Sequence, residues 1–258
     1  LHYYTIPNGR WEVKGSSTDF AEKSWYQTLS RTLYMETLIK GHGAIMDKYD
    51  PDKKIGMMID EWGTWYDVEP GTNPGFLYQQ STMRDALVAG INLNLFNKHC
   101  DRVKMANIAQ LVNVLQAVIL TEGDKMVKTP TYYVFKLYSA HQDNELLESS
   151  LDIKTIGLED EYKLPNLTES VSVNKDGKII ITMTNQSLDE SAEIESVLHG
   201  SVVKGVTGRI VTEKMNAHNT FDNPDVVKDA AFEVTGFEND TIKYTIPPRS
   251  VIALEVTV

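Results

Sequence analysis

Ile59-Asp60-Glu61-Trp62-Gly63-Thr64-Trp65-Tyr66 closes an apolar run, Ile55-Gly56-Met57-Met58-Ile59, with two acids and then a set of aromatics. A short apolar run of this kind reads as a buried strand, which places Asp60 and Glu61 where the strand meets solvent. In parallel α/β architectures the mouth formed by strand C-termini is the usual site of chemistry. Trp62, Trp65 and Tyr66 would line that mouth with flat apolar surfaces suited to a sugar ring. The competing reading is a helix-capping acid pair beside exposed aromatics.

Working outward, the chain reads as alternating strands and helices before it changes character. Ser17-Thr18-Asp19 with Glu22 predicts a capped helix from Phe20 to about Met46, loosened at its end by Gly41 and Gly43. After the strand into Asp60-Glu61, a loop with Pro70, Gly71, Pro74 and Gly75 is long enough to form a site wall. A second helix is expected from about Leu77 to Lys98, then a strand from Arg102 to Ala109, with Gln110 just past its end. This is the grammar of βαβ units and a parallel sheet. Beyond a last helix, Thr131 to about His141, the period becomes two in 170–173, 179–184, 231–234 and 241–246, and Asp176-Gly177 signals a hairpin. An antiparallel β-sandwich is the economical reading for 143–258.

The 258 residues, 41% hydrophobic and 24% charged, suffice for a core in one large domain or two ordinary ones, and a soluble globular protein is expected. A net charge of -11 with no basic stripe argues against a nucleic-acid or anionic-membrane partner. The single cysteine, Cys100, excludes an intrachain disulfide. Zinc-type Cys/His spacing, a Gly-rich phosphate loop and an apolar run of membrane length are all missing from the sequence. His99-Cys100-Asp101 is read as structural, because neighbouring residues cannot converge their side chains. The chain opens at Leu1-His2-Tyr3-Tyr4 without an initiator Met or signal peptide, as if cut within a strand. A fragment or processed product is therefore expected, and its compartment, cytoplasmic or exported, stays open.

Five segments together, Leu1-His2-Tyr3-Tyr4, Ile59-Asp60-Glu61-Trp62, Asp85-Ala86-Leu87, Ala109-Gln110-Leu111-Val112-Asn113 and 216–224 (Asn216 to Pro224), resemble family 51 of the glycoside hydrolases, the α-L-arabinofuranosidases. The resemblance implies a (β/α)8 barrel followed by a C-terminal β-sandwich. Residues 1–142 would supply barrel strands six to eight only, and 143–258 the sandwich. A barrel of eight strands cannot close from three, so unpaired edges are expected to make the chain associate with itself or leave the barrel part disordered. The 216–224 segment, although a family marker, is read as fixing turns within the sandwich half.

The resemblance also assigns roles. Glu61 would be the nucleophile of a retaining mechanism, in which two carboxyl groups stand roughly 5 Å apart. The acid/base, a Glu after an Asn on strand four, would lie upstream and not on this chain. Asp60 cannot replace it, since adjacent side chains of an extended strand face opposite ways. His2 and Tyr4, two apart and so on one face, would contact Glu61 and the sugar. Trp65 would line the sugar pocket and Gln110 would hydrogen-bond near the bound sugar. The implied substrate is an arabinose-containing oligo- or polysaccharide of hemicellulose or pectin, released as terminal arabinofuranosyl groups with retention. No metal or organic cofactor is implied, and a homo-oligomer is. On this reading the chain by itself is inactive. Two alternatives stand beside it: a non-catalytic structural piece, and an endo-glucanase of the same family.

Overall fold

The computed structural model describes residues 1–158 and 161–258. The chain begins with β1 (His2–Thr5), α1 (Glu22–Thr32), α2 (Tyr34–Tyr49), β2 (Met57–Thr64), α3 (Met83–Lys98) and β3 (Val103–Ile108). The three strands form one parallel sheet in the order β1-β2-β3, as the βαβ grammar requires. A hairpin of β4 (Ile119–Glu122) and β5 (Lys125–Lys128) follows, then α4 (Pro130–Tyr138), which begins on Pro130 where a missing N–H costs nothing.

Several boundaries differ from the sequence reading. The expected single helix from Phe20 starts instead at Glu22, without a side-chain cap, and breaks at Leu33 into α1 and α2. Thr28 Oγ1 donates to Ser24 O at 2.6 Å and Thr32 Oγ1 to Thr28 O at 2.9 Å, and such back-bonding bends a helix. Gly41 and Gly43 do not end α2, which runs to Tyr49. The helix expected from Leu77 starts at Met83, because Leu77 is left-handed (φ 54°) and Thr82 with Asp85 forms a full capping box. The acids do not end their strand either: β2 passes through Asp60 and Glu61 to Thr64.

From Glu145 the architecture is antiparallel. β6 (Glu145–Leu147), β7 (Thr155–Ile156), β8 (Leu164–Pro165), β9 (Leu167–Val173), β10 (Ile179–Asn185), β11 (Ala192–Val197), β12 (Gly205–Thr212), β13 (Ala230–Phe232), β14 (Gly236–Glu238), β15 (Thr241–Ile246) and β16 (Ser250–Thr257) complete the chain. A six-stranded sheet, β13-β12-β16-β10-β9-β6, faces a three-stranded one, β11-β15-β14. Ile179, Ile181, Met183, Ile252, Leu254, Ile242 and Tyr244 fill the space between them. Asn174 to Lys178, including Asp176-Gly177, makes the expected turn between β9 and β10.

The outer face of the large sheet is polar yet buried. Ser170, Thr182 and Thr184 are shielded from solvent because α3 lies across them. Asn94 on α3 accepts from Ser170 Oγ, Thr182 Oγ1 and Tyr138 OH, each at 2.9 Å, and donates to Thr168 Oγ1 at 3.0 Å. Helix α3 is consequently buried on nearly every side. The α/β and sandwich parts also interlock through the 213–229 loop. Asn219 donates to Lys128 O and Val227 O, and Val227 joins the core of the α/β part. The 216–224 segment thus fixes turns, as read, while spanning both parts.

Candidate active site

The C-terminal end of β2 is held from behind by buried polar groups. Thr64 Oγ1 donates to Asp85 Oδ1 at 2.6 Å and Tyr66 OH to the same oxygen at 3.0 Å, while Gln116 Oε1 accepts from Thr64 N at 3.0 Å. Asp85 is fully buried and burial pushes its carboxyl up, against the pull of Arg84 and of its donors. The Arg84 guanidinium lies between the rings of Phe20 and Tyr66, 3.6 and 4.2 Å from their centroids, and donates to Ser24 Oγ and to the Ser16 and Ser17 carbonyls. Such a buried frame orders the strand end before any ligand arrives.

Within β2, Ile59 pairs with Ala106 but Trp62 with Ile108, so three steps on β2 oppose two on β3. The extra residue is a bulge at Asp60-Glu61, a device that re-aims side chains beside functional sites. Burial changes phase across it, from Met57 and Ile59 before to Trp62 and Thr64 after. Strict alternation, which the sequence reading used to part Asp60 from Glu61, is therefore not kept here. The two carboxylates still find different surroundings, for Asp60 is exposed and Glu61 turns to β1.

His2 is in register with Glu61 and Tyr4 with Gly63. Tyr4 OH donates a hydrogen bond to Glu61 Oε2, and His2 Nδ1 lies 3.6 Å from the same oxygen. Burial, and then the neighbouring carboxylate, push the Tyr4 phenol far up, so it stays a donor at any ordinary pH. The Trp65 ring meets Tyr4 edge-on at 5.0 Å and Trp11 edge-on at 4.9 Å. Lys14 Nζ sits 5.8 and 5.9 Å from the Trp11 and Trp65 centroids. The 10–15 segment that brings Trp11 here is tied to β2's exit by Asp67, which accepts from Lys14 N and Gly15 N.

Four of the sequence-derived site residues, His2, Tyr4, Glu61 and Trp65, thus form one cluster. Gln110 stands apart. Ala109 N donates to Trp62 O, leaving Gln110 two residues beyond β3, where its exposed side chain faces a neighbouring cleft. Two of the aromatics expected at the mouth are not there. Trp62 is buried against Phe96 and Phe135, and Tyr66 is buried on Arg84 and Asp85, because the phase change at the bulge turns their positions inward. Trp11 was missed, since it lies in a loop without periodicity and only tertiary folding brings it to Trp65. Asp85 was missed both as a helix-capping acid, for which Thr82-x-x-Asp85 was the available signal, and as the brace of β2.

His99, Cys100 and Asp101 point to different partners, as read: His99 lies 3.6 Å from Glu36, Cys100 is exposed and Asp101 pairs with Lys53. Among the described residues, no cluster of three or more His, Cys, Asp or Glu could hold a metal ion. No helix among them is long and apolar enough to cross a membrane.

A family model, the α-L-arabinofuranosidase C-terminal domain, matches residues 60–250. An intracellular exo-α-L-arabinofuranosidase of Bacteroides ovatus is 46% identical over 99% of this chain and 50% of its own length. The crystal structure of a family 51 arabinofuranosidase from Xanthomonas axonopodis pv. citri superposes with a TM-score of 0.96 at 47% identity, over 99% of this chain and 52% of that one. The chain belongs to family 51 of the glycoside hydrolases. The family 51 fold extends to more distant relatives: an α-L-arabinofuranosidase of Thermotoga maritima, in complex with arabinose, is 26% identical with a TM-score of 0.79, covering 91% of this chain and 50% of that one. This family 51 chain spans about half the length of the curated relatives it matches. Its parallel sheet and β-sandwich are the part that those relatives share with it.

Proposed function

We propose that this chain supplies the nucleophile half of a retaining α-L-arabinofuranosidase that removes terminal arabinofuranosyl groups from arabinan, arabinoxylan or related polysaccharides. One observation carries the reading: Glu61, on a bulge in the C-terminal half of a parallel strand, accepts a hydrogen bond from Tyr4 and has His2 beside it. A carboxylate so held stays oriented for attack on an anomeric carbon, and the Tyr4 hydroxyl can pass its hydrogen bond to the sugar as the new bond forms. Trp65 and Trp11 offer a ring wall for the substrate. Gln110 is assigned a hydrogen bond near the sugar, which requires the ligand to extend past β3. The acid/base carboxyl that protonates the leaving oxygen comes, in this proposal, from sequence outside these residues, and the half-length match to the relatives supports that division.

Residues 1–142 belong, in the same reading, to the barrel, and 143–258 to the sandwich. Met58 and Met105 are exposed on the parallel sheet, and such apolar side chains call for cover by further barrel or by a second copy of the chain. A homo-oligomer is part of the proposal, and sedimentation tests it.

The decisive experiment uses a mechanism-based arabinofuranosyl reagent with an activated leaving group, followed by peptide mass spectrometry. It is run on this chain and on protein extended upstream of Leu1. Covalent label on Glu61 of the extended protein is expected, together with no turnover of an aryl arabinofuranoside by the chain alone. Label on another residue would overturn Glu61 as nucleophile, and full turnover by the chain alone would overturn the division of the two carboxyls.

A further inference from the structure

The loop after β2 and the turn after β3 build a second cleft, of about 730 Å³, whose wall they share with the β4–β5 hairpin. That volume falls within the range of small-ligand sites. Phe76, Tyr78 and Phe221 line it with ring surface, and Asn73, Gln110 and Glu122 with hydrogen-bonding groups. Phe76 is 69% exposed, so its ring is held out with nothing packed on most of it. Tyr78 and Phe221, by contrast, rest on Ala117, Leu120 and Val127 and make a firm floor. Rings beside amide and carboxylate acceptors are the surfaces on which a hydroxylated ring stacks and hydrogen-bonds.

The walls are rigid and conformationally costly. Leu77, Asn113 and Leu115 all have left-handed backbones, at φ 54°, 59° and 46°. Branched apolar side chains rarely adopt that conformation, and it persists where surrounding contacts over-determine it, commonly around ligand sites. The contacts are visible here: Leu115 N donates to Leu77 O at 3.0 Å, and Thr121 N donates to Asn113 Oδ1 at 2.7 Å. Asn113 Nδ2 returns two bonds to Thr121. Two strained turns and a hairpin are thus clamped together around an open aromatic surface.

We propose that this cleft binds a neutral saccharide unit of the substrate beyond the arabinofuranosyl ring, and so selects the leaving group. The assignment rests on the proposed reaction for its place in catalysis, while the binding itself does not. Gln110 links the two, since it forms one wall of the cleft and the proposed reaction places it near the sugar. Neutrality follows from charge: among the described residues Glu122 is the one charged group in the lining, so an acidic sugar would meet repulsion.

The test is a titration of the isotopically labelled chain with xylotriose, α-1,5-arabinotriose and, as an anionic control, trigalacturonate, read by amide chemical shifts. Saturable shifts of the Phe76, Leu77, Tyr78 and Asn113 amides are expected with at least one neutral trisaccharide and not with trigalacturonate. Phe76→Ala, an exposed position, should weaken that binding roughly tenfold, the effect of losing one stacking ring. Glu61→Gln should leave it unchanged, which separates this inference from the proposed reaction: loss of the Glu61 label with the titration intact would sink only the latter. No saturable shift at these amides with either neutral sugar, an equal response to trigalacturonate, or unaltered affinity in Phe76→Ala would each overturn the proposal.

Discussion

His141 should weaken the junction between the α/β part and the sandwich in mild acid. Its Nδ1 lies 2.7 Å from Ser172 Oγ and its Nε2 3.0 Å from Thr182 Oγ1, on the buried outer face of the large sheet. Burial pulls the imidazole from its ordinary 6.5 down to about 4. A histidine that resists protonation in the folded state binds fewer protons than the unfolded chain does between those two values. Its penalty is therefore zero above about pH 7.5 and grows as pH falls from 6.5 to 4. At pH 5 the two pKa values give a loss of about 2 kcal/mol relative to pH 8, a sizeable share of a domain's stability. The perturbation is His141→Gln, which keeps a polar side chain and removes the titration. Urea denaturation of both proteins at pH 8 and pH 5 isolates the residue, because every other titrating group cancels in the difference. The gap between wild type and variant should shift by about 2 kcal/mol in the variant's favour on acidification. A gap that stays constant within about 0.5 kcal/mol would refute the burial argument.

Further outcomes follow from the same contacts. Tyr4→Phe in the catalytically complete protein should lower kcat/KM for an aryl arabinofuranoside by about 10- to 100-fold, the value of one hydrogen bond to a charged group, as initial rates would show. Asp85→Ala strands the Thr64 and Tyr66 hydroxyls and the Thr82 N–H in the interior, so chemical denaturation should register a loss of about 3 kcal/mol. Gly90→Ala should destabilise by about 1–2 kcal/mol despite alanine's better helix propensity, because the new Cβ would stand 2.6 Å from Thr184 Cγ2 in a buried contact. Gly41→Ala, with open space around it, should raise the thermal midpoint instead; a matching loss at both glycines would contradict the packing argument.

Much of the local structure was legible. The apolar run into Glu61 and the Asp176-Gly177 turn each act through neighbours in the chain, and local physics suffices for those. The grouping of His2 with Tyr4 also followed from period two, and their meeting with Glu61 was implied by the family resemblance. Trp62 and Tyr66 show where such reading stops. Their types announced a sugar-facing wall, but one bulged residue at Asp60-Glu61 shifted the phase of the strand and sent both inward.

Ser170, Thr182 and Thr184 make the same point in the sandwich. Alternation assigns them to one face, and polar side chains suggest that the face is wet. Helix α3 covers it instead, and Asn94 makes the burial tolerable by accepting and donating hydrogen bonds across the junction. What the amino-acid sequence by itself determined is which residues share a strand, a helix or a face, because those relations depend on backbone geometry over a few residues. What only the tertiary structure decided is what each face meets: Trp11 against Trp65, Asp85 behind β2, α3 over a field of hydroxyls. Those contacts join segments tens of residues apart, and no local periodicity carries the energy that selects them.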